Sequence, residues 1–182
     1  LFLKGSKVRI LTRGTNPVPE SWHNRLEVIY GELNDHDAIR KAVKDCHTVY
    51  HLAAEMRDSA KMALVNVEGT RCLLEACVQE KVRNFLYLSS VGVLGGTGKP
   101  LKLDETSPAC PRNIYETTKY EGEHLAFAYN NLSDLKVVAV RPTIVYGEYR
   151  NPQKDSFLKW CRAIKGGCFL QLGYDYVNSY VY

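Results

Sequence analysis

NFLYLSS, residues 84–90, is a run of apolar and aromatic side chains that ends in two hydroxyls. A strand covered on both faces reads this way, because no polar alternation marks a solvent side. Four other stretches share its character: KVRILT (7–12), LEVIY (26–30), TVYHLA (48–53) and KVVAVRP (136–142). Between them lie segments with helical spacing. DHDAIRKAVKDC (35–46) sets apolar residues at 38, 39, 42 and 43 behind acids at its start. Residues 60–80 carry Met62, Leu64, Val65, Leu73, Leu74 and Cys77, and related patterns cover 114–130 and SFLKWCRAI (156–164). Strand alternating with helix predicts right-handed crossovers and a doubly wound α/β fold with a parallel sheet.

The 182 residues suffice for one well-buried domain, and 45% hydrophobic with 24% charged residues is ordinary for a soluble globular protein. The net charge of +4 comes from scattered basic residues with no Lys/Arg block, so no nucleic-acid partner is expected. No apolar run reaches the roughly 18 residues that cross a bilayer. Lys4, Gly5, Ser6 and Lys7 interrupt the first residues as a signal-peptide core would not. The six cysteines (46, 72, 77, 110, 161 and 168) form no Cys-x-x-Cys and no metal-ligand spacing with His. Reduced thiols, no metal site and a cytoplasmic location are the expectation.

In open sheets of this class, ligands bind beyond the carboxyl ends of the strands. The first run is followed by Thr12-Arg13-Gly14. In a dinucleotide site an acid here would accept from a ribose 2′-hydroxyl, whereas an arginine pairs with a 2′-phosphate. Next come Gly31-Glu32-Leu33 and His51-Leu52-Ala53-Ala54. Paired alanines make room for a ligand or for tight strand–helix packing, and the residue types do not choose. Ser89-Ser90 offers hydroxyls to a substrate oxygen, or caps a turn. Arg141-Pro142 ends the last ladder. GGTGKP (95–100) is no phosphate loop: Val93 stands five before Gly98, and Pro100 takes the Ser/Thr place.

NIYETTKYEGEHLAF (113–127) places Tyr115 four residues before Lys119. On a helix these share one face, about 5–6 Å apart at Cβ. With 12 tyrosines in the chain one such pair is expected by chance, so its neighbours decide its meaning.

Gly31-Glu32-Leu33, His51-Leu52-Ala53-Ala54, Asn66-Val67-Glu68-Gly69-Thr70, Ser89-Ser90, Tyr115-x-x-x-Lys119 and Arg141-Pro142 through Tyr146-Gly147 occur in that order, with Ser90 25 positions before Tyr115. Together they resemble the extended short-chain dehydrogenase/reductase family, the NAD(P)-dependent epimerase/dehydratase group. The resemblance implies a Rossmann-like domain over residues 1–182 that binds NAD or NADP, with Arg13 favouring NADP. It implies that Tyr115 exchanges a proton with a substrate hydroxyl, that Lys119 supports the phenolate and bonds the nicotinamide ribose, and that Ser90 donates to the same substrate oxygen. Asn66 would anchor a water linking Lys119 to solvent. Leu33, Leu52, Ala53 and Ala54 would line the adenine and ribose channel, with Glu32 where the family usually has Asp. Pro142 and Thr143 would lie near the nicotinamide. A lysine on the same face, with an oxidised nicotinamide, should bring the Tyr115 phenol below its usual value near 10.

The resemblance also exposes departures. The family's first strand and its Gly-x-x-Gly-x-x-Gly turn have no match, and the chain stops at Val177-Asn178-Ser179-Tyr180-Val181-Tyr182, where another strand is expected to begin. A domain incomplete at both ends, without its C-terminal substrate-binding part and inactive alone, is the expectation. Val91-Gly92 stand where dehydratases carry Asp-Glu, which speaks against 4,6-dehydratase chemistry. The leading implied activity is a sugar-nucleotide epimerase acting on a small nucleotide sugar. A net dehydrogenase resembling 3β-hydroxysteroid dehydrogenases or dihydroflavonol reductases is the alternative. A non-catalytic dinucleotide-binding module comes third, because Tyr115 and Lys119 are retained. Family members pair through the helices that hold Asn66 and Tyr115, which implies a homodimer.

Overall fold

The computed structural model describes residues 5–15, 18–23, 26–96, 102–145, 156–166 and 180–181. The chain divides into two units, Leu1–Arg141 and Pro142–Tyr182. The first contains, in order, β1 (Val8–Thr12), α1 (Glu20–His23), β2 (Leu26–Tyr30), α2 (His36–Val43), β3 (Thr48–His51) and α3 (Ser59–Ala63). A π-helical turn (Leu64–Glu68) then runs into α4 (Gly69–Gln79), followed by β4 (Asn84–Leu88), a 3₁₀ turn (Val91–Leu94), α5 (Ile114–Leu132) and β5 (Lys136–Val140).

Every strand pair among the described residues is parallel. β1 pairs β2 from Val8↔Leu26 to Thr12↔Tyr30, and β4 lies between β3 and β5. The predicted α/β architecture is therefore present, Rossmann-like in its alternation. The strands lie in two sheets separated by a cleft of about 1570 Å³, with Val8, Ile10 and Thr12 on one side and Val49 and His51 on the other. Among the described residues no strand lies between β1 and β3. Parallel pairs joined by helices are what the sequence led us to expect.

Local chemistry sets the helix ends. Asp35 caps α2, accepting from the Ala38 amide at 3.0 Å. The helix stops at Val43, three residues short of the expected end, because Asp45 turns left-handed with φ 59°. The Arg9 guanidinium takes up the carbonyls this end leaves open, donating from Nη1 to Lys41, Ala42 and Lys44 at 3.0, 3.1 and 2.7 Å. Its Nε meets Glu27 at 2.7 Å, so one side chain ties β1, β2 and α2 together. Asn113 caps α5 through the Glu116 amide at 2.9 Å, and Glu116 reaches back to the Arg112 amide at 2.7 Å.

The core lies between α2, α4 and α5 and the inward faces of the strands, around Ile39, Leu74, Cys77, Phe85, Tyr87 and Ala126. Phe85 and Tyr87 point into it from β4. The predicted burial on both faces is not met everywhere: Tyr30, Tyr50, Val138 and Val140 are exposed. The five cysteines that are described are free thiols. Gly31, just past β2, is needed for close packing, since a Cβ there would overlap the Ala38 methyl. Gly31→Ala should cost about 1–3 kcal/mol, seen as a lower urea midpoint with an unchanged slope.

In the second unit, β6 (Ile144–Val145) pairs in parallel with β7 (Tyr180–Val181), and α6 spans Ser156–Lys165. A strand is thus present at Tyr180, where one was expected to begin. Tyr146, Gly147, residues 97–100 and Cys168 lie outside the described residues. No described helix is long and apolar enough to cross a membrane.

Candidate functional site

The strands stop at Thr12, Tyr30, His51, Leu88 and Val140, so the motifs at Arg13, Gly31, His51, Ser89 and Arg141 start at or just beyond carboxyl ends, while Asn66 and the Tyr115–Lys119 pair stand on helices. The cap at Asn113 starts α5 so that Tyr115 falls in its first turn and Lys119 one turn on. Tyr115 is half-buried, and Lys119 is buried with 2% exposure. Ser90 follows β4, and its hydroxyl oxygen caps the 3₁₀ turn by accepting from the Gly92 amide at 3.1 Å. That bond uses a lone pair and leaves the hydroxyl proton available to donate.

The Lys119 ammonium sits 4.2 Å from the centre of the Tyr87 ring. Burial lowers its pKa to about 8, against the upward pull of Glu123 one turn further along α5. Burial pushes the Tyr115 phenol up, opposite to the effect expected from Lys119 together with a bound oxidised nicotinamide.

Behind this pair lies a buried polar network. Asn66, in the π-helical turn, donates to the Glu55 carbonyl and the Thr118 hydroxyl, each at 3.0 Å, and accepts from the Glu55 amide at 2.8 Å. It clamps the segment after β3 to α5. Thr70 donates to the Asn66 carbonyl at 2.7 Å, so the His51 Nε2 that lies 2.9 Å from Thr70 Oγ1 is the donor in that contact. Burial, helped by Lys119, holds His51 down to about 3, and the ring is neutral at physiological pH. Glu123, also buried, is gripped by Arg141, whose Nε lies 3.1 Å from Oε2 and whose Nη2 lies 2.5 Å from Oε1.

Arg13, Glu32, Leu33, Leu52, Ala53 and Ala54 all border the cleft of about 1570 Å³. Leu52 is 59% exposed, Ala53 is open, and a Cβ on Gly69 would come within 2.7 Å of the Leu33 side chain. Exposed apolar side chains beside small residues suit a flat aromatic group, with the exposed Glu32 carboxylate at hand to accept hydrogen bonds. Nearby, Glu55 Oε1 accepts from the amides of Met56, Arg57 and Asp58, which hold the carboxyl below its usual range. Pro142 and Thr143 belong to the second unit. Among the described residues no group of three His, Cys, Asp or Glu could hold a metal ion.

Sequence reasoning missed Tyr87, Gly122 and Glu123, and gave Thr70 and His51 no roles of their own. Glu123 had a signal, for the four-residue spacing of Tyr115 and Lys119 continues to it. Tyr87 had only its inward parity on the strand.

The profile of the NAD dependent epimerase/dehydratase family matches residues 1–167. The N-acetyl-alpha-D-glucosaminyl-diphospho-ditrans,octacis-undecaprenol 4-epimerase of Escherichia coli O157:H7 is 33% identical over 150 residues, 79% of this chain and 44% of that protein. A 3 beta-hydroxysteroid dehydrogenase/Delta 5-->4-isomerase of Mycobacterium tuberculosis is 32% identical over 159 residues, 81% of this chain and 42% of that protein. MoeE5 in complex with UDP-glucose and NAD superposes with a TM-score of 0.77 at 30% identity, covering 91% of this chain and 56% of that one. The UDP-glucose 4-epimerase of Thermotoga maritima shares the fold, with a TM-score of 0.85 at 23% identity over 100% of this chain and 63% of that one. The chain thus spans less than half the length of these curated relatives.

Proposed function

The chain belongs to the NAD dependent epimerase/dehydratase family, and on that premise we propose that it is the dinucleotide-binding part of an enzyme that epimerises a nucleotide sugar at a hydroxyl-bearing carbon. The observation that carries this reading is the placement of Tyr115 and the buried Lys119 on one face of α5, with the Ser90 hydroxyl just past β4. Tyr115 takes the proton from the sugar hydroxyl and returns it. Ser90 keeps a proton to donate to the same oxygen and fixes it for transfer at the neighbouring carbon. Lys119, charged below about pH 8, favours the phenolate. Asn66, bonded to Thr118 beside Lys119, is the candidate to hold a water that links Lys119 to solvent.

Glu32, Leu33, Leu52, Ala53 and Ala54 would hold the dinucleotide, with Pro142 and Thr143 assigned to its nicotinamide end. When bound, the nicotinamide supplies the hydride acceptor and donor. Arg13, exposed at the end of β1, favours NADP among the two dinucleotides. The apolar Leu64 and Phe127, 52% and 41% exposed on the helices that carry Asn66 and Tyr115, support a homodimer built on those helices.

A second reading, a net NADP-dependent dehydrogenase, draws on Arg13 and on the steroid dehydrogenase relative. Full-length enzyme incubated with UDP-sugars separates the two, with sugar interconversion and the absorbance of reduced nicotinamide followed together. The epimerase reading expects interconversion without net cofactor change. Stoichiometric cofactor change favours the dehydrogenase, and neither signal from any UDP-sugar removes the nucleotide-sugar assignment.

A further inference from the structure

We propose that Tyr87 is a positioning residue for Lys119, its ring face being the seat that keeps the buried ammonium charged and in place beside Tyr115. The inference rests on the role given to Lys119 above. Lys119 is 2% exposed, yet among the described residues no ion pair holds its Nζ. Glu123, the carboxylate one turn further along the same face of α5, is engaged by Arg141 instead. An ammonium withdrawn from water needs a compensating partner. The Tyr87 ring, 4.2 Å from Nζ at its centroid, supplies one through its negative face.

The ring is held on several sides. Tyr87 is fully buried on β4, the central strand of its sheet. Its hydroxyl donates to the Lys119 backbone carbonyl at 3.3 Å, so the residue that brings the ammonium also anchors the ring beneath it. The tilted His51 ring lies 5.6 Å away, centre to centre. Gly122 leaves the needed space, because a Cβ there would overlap the Tyr87 hydroxyl and come within 2.7 Å of the Asn66 carbonyl oxygen. Tyr87 is no rival to Tyr115 as a proton carrier, since burial, with Glu123 and Tyr115, pushes its phenol well above the usual value.

The titratable and charged groups around Lys119 are Tyr115 and Glu123 on its own helix, His51 from β3, Tyr87 from β4 and Arg141 after β5. The helix over 59–79 brings the uncharged Asn66 and Thr70. His51 is neutral across the working range and Arg141 stays charged. Weakening the seat therefore lowers the Lys119 pKa further, and turnover should fail at lower pH.

The test uses full-length enzyme. Tyr87→Phe keeps the ring while removing the hydroxyl that anchors it, and its pH profile is the reference for the series. Phenylalanines carrying one, two or three ring fluorines at position 87 weaken the negative face while nearly preserving shape. The alkaline limb should then step downward by about one pH unit across the series, with KM for the sugar unchanged. An alkaline limb indifferent to fluorination overturns the proposal. Lys119→Met, assayed alongside, tells the two levels apart. If it keeps full turnover, the site assignment itself is wrong and the seat falls with it. If it abolishes turnover while fluorination changes nothing, only the seat is wrong.

Discussion

Tyr115→Phe is expected to lower kcat by roughly 10²- to 10⁴-fold, while KM and dinucleotide affinity change by no more than about twofold. The substitution removes one oxygen and keeps a half-buried ring at the start of α5. Among the described residues no hydrogen bond uses the Tyr115 hydroxyl, whereas its backbone carbonyl accepts from Thr118 at 3.1 Å. The fold should therefore lose no more than about 0.5 kcal/mol, and a large kinetic loss beside an unchanged denaturation midpoint isolates the chemistry. Burial pushes the phenol up, so unaided it would be a feeble base at neutral pH. A positive charge within reach must reverse that shift, and Lys119 carries one only below about pH 8. Wild-type turnover should accordingly fall as pH rises past that value. A Tyr115→Phe enzyme with undiminished kcat would remove the proton-transfer assignment whatever the substrate.

The strands were legible because Val, Ile and Tyr crowd into runs that suit a parallel sheet. Their ends were less so: Leu52 and Ala53 continue the apolar character of their run, but pairing stops at His51. α2 ends early at a left-handed Asp45 whose surroundings are met by Arg9, thirty-odd positions upstream in β1. No window of sequence around α2 contains that partner. α1, with four residues, is too short to show a helical period. The candidate site was legible as an ordered set of motifs, each placed by a strand end or a helix cap. What the residues around it do to its charges was not. A lysine four places from a tyrosine says nothing of burial, which pushes the Tyr115 phenol up, or of which ring the ammonium meets.

Arg141→Met should destabilise the full-length protein by about 3 kcal/mol near pH 7 and by markedly less in mild acid. Burial alone would raise the Glu123 carboxyl, but the Arg141 hydrogen bonds and charge outweigh it and hold it below the ordinary carboxylate value. A carboxyl depressed in this way stabilises the fold above its unfolded pKa, and that contribution disappears as pH falls through the folded value. With Arg141 gone, burial is left as the leading influence and the carboxyl rises instead. The sign then inverts: the buried charge penalises folding at neutral pH, and acid relieves the penalty by protonating Glu123. Urea midpoints of wild type and Arg141→Met at about pH 7 and about pH 4.5 should thus converge toward acid. A gap of equal size at both values would mean that Arg141 acts through packing of its stem rather than through charge. Combining Arg141→Met with Glu123→Leu should restore most of the loss, since an apolar pair of similar volume leaves no charge to desolvate. The cost of that repair would appear in the candidate site, where Lys119 loses the carboxylate that pulls its pKa upward. A protein that regains stability in the double variant yet fails at lower pH in turnover would show the pair serving Lys119 as well as the fold.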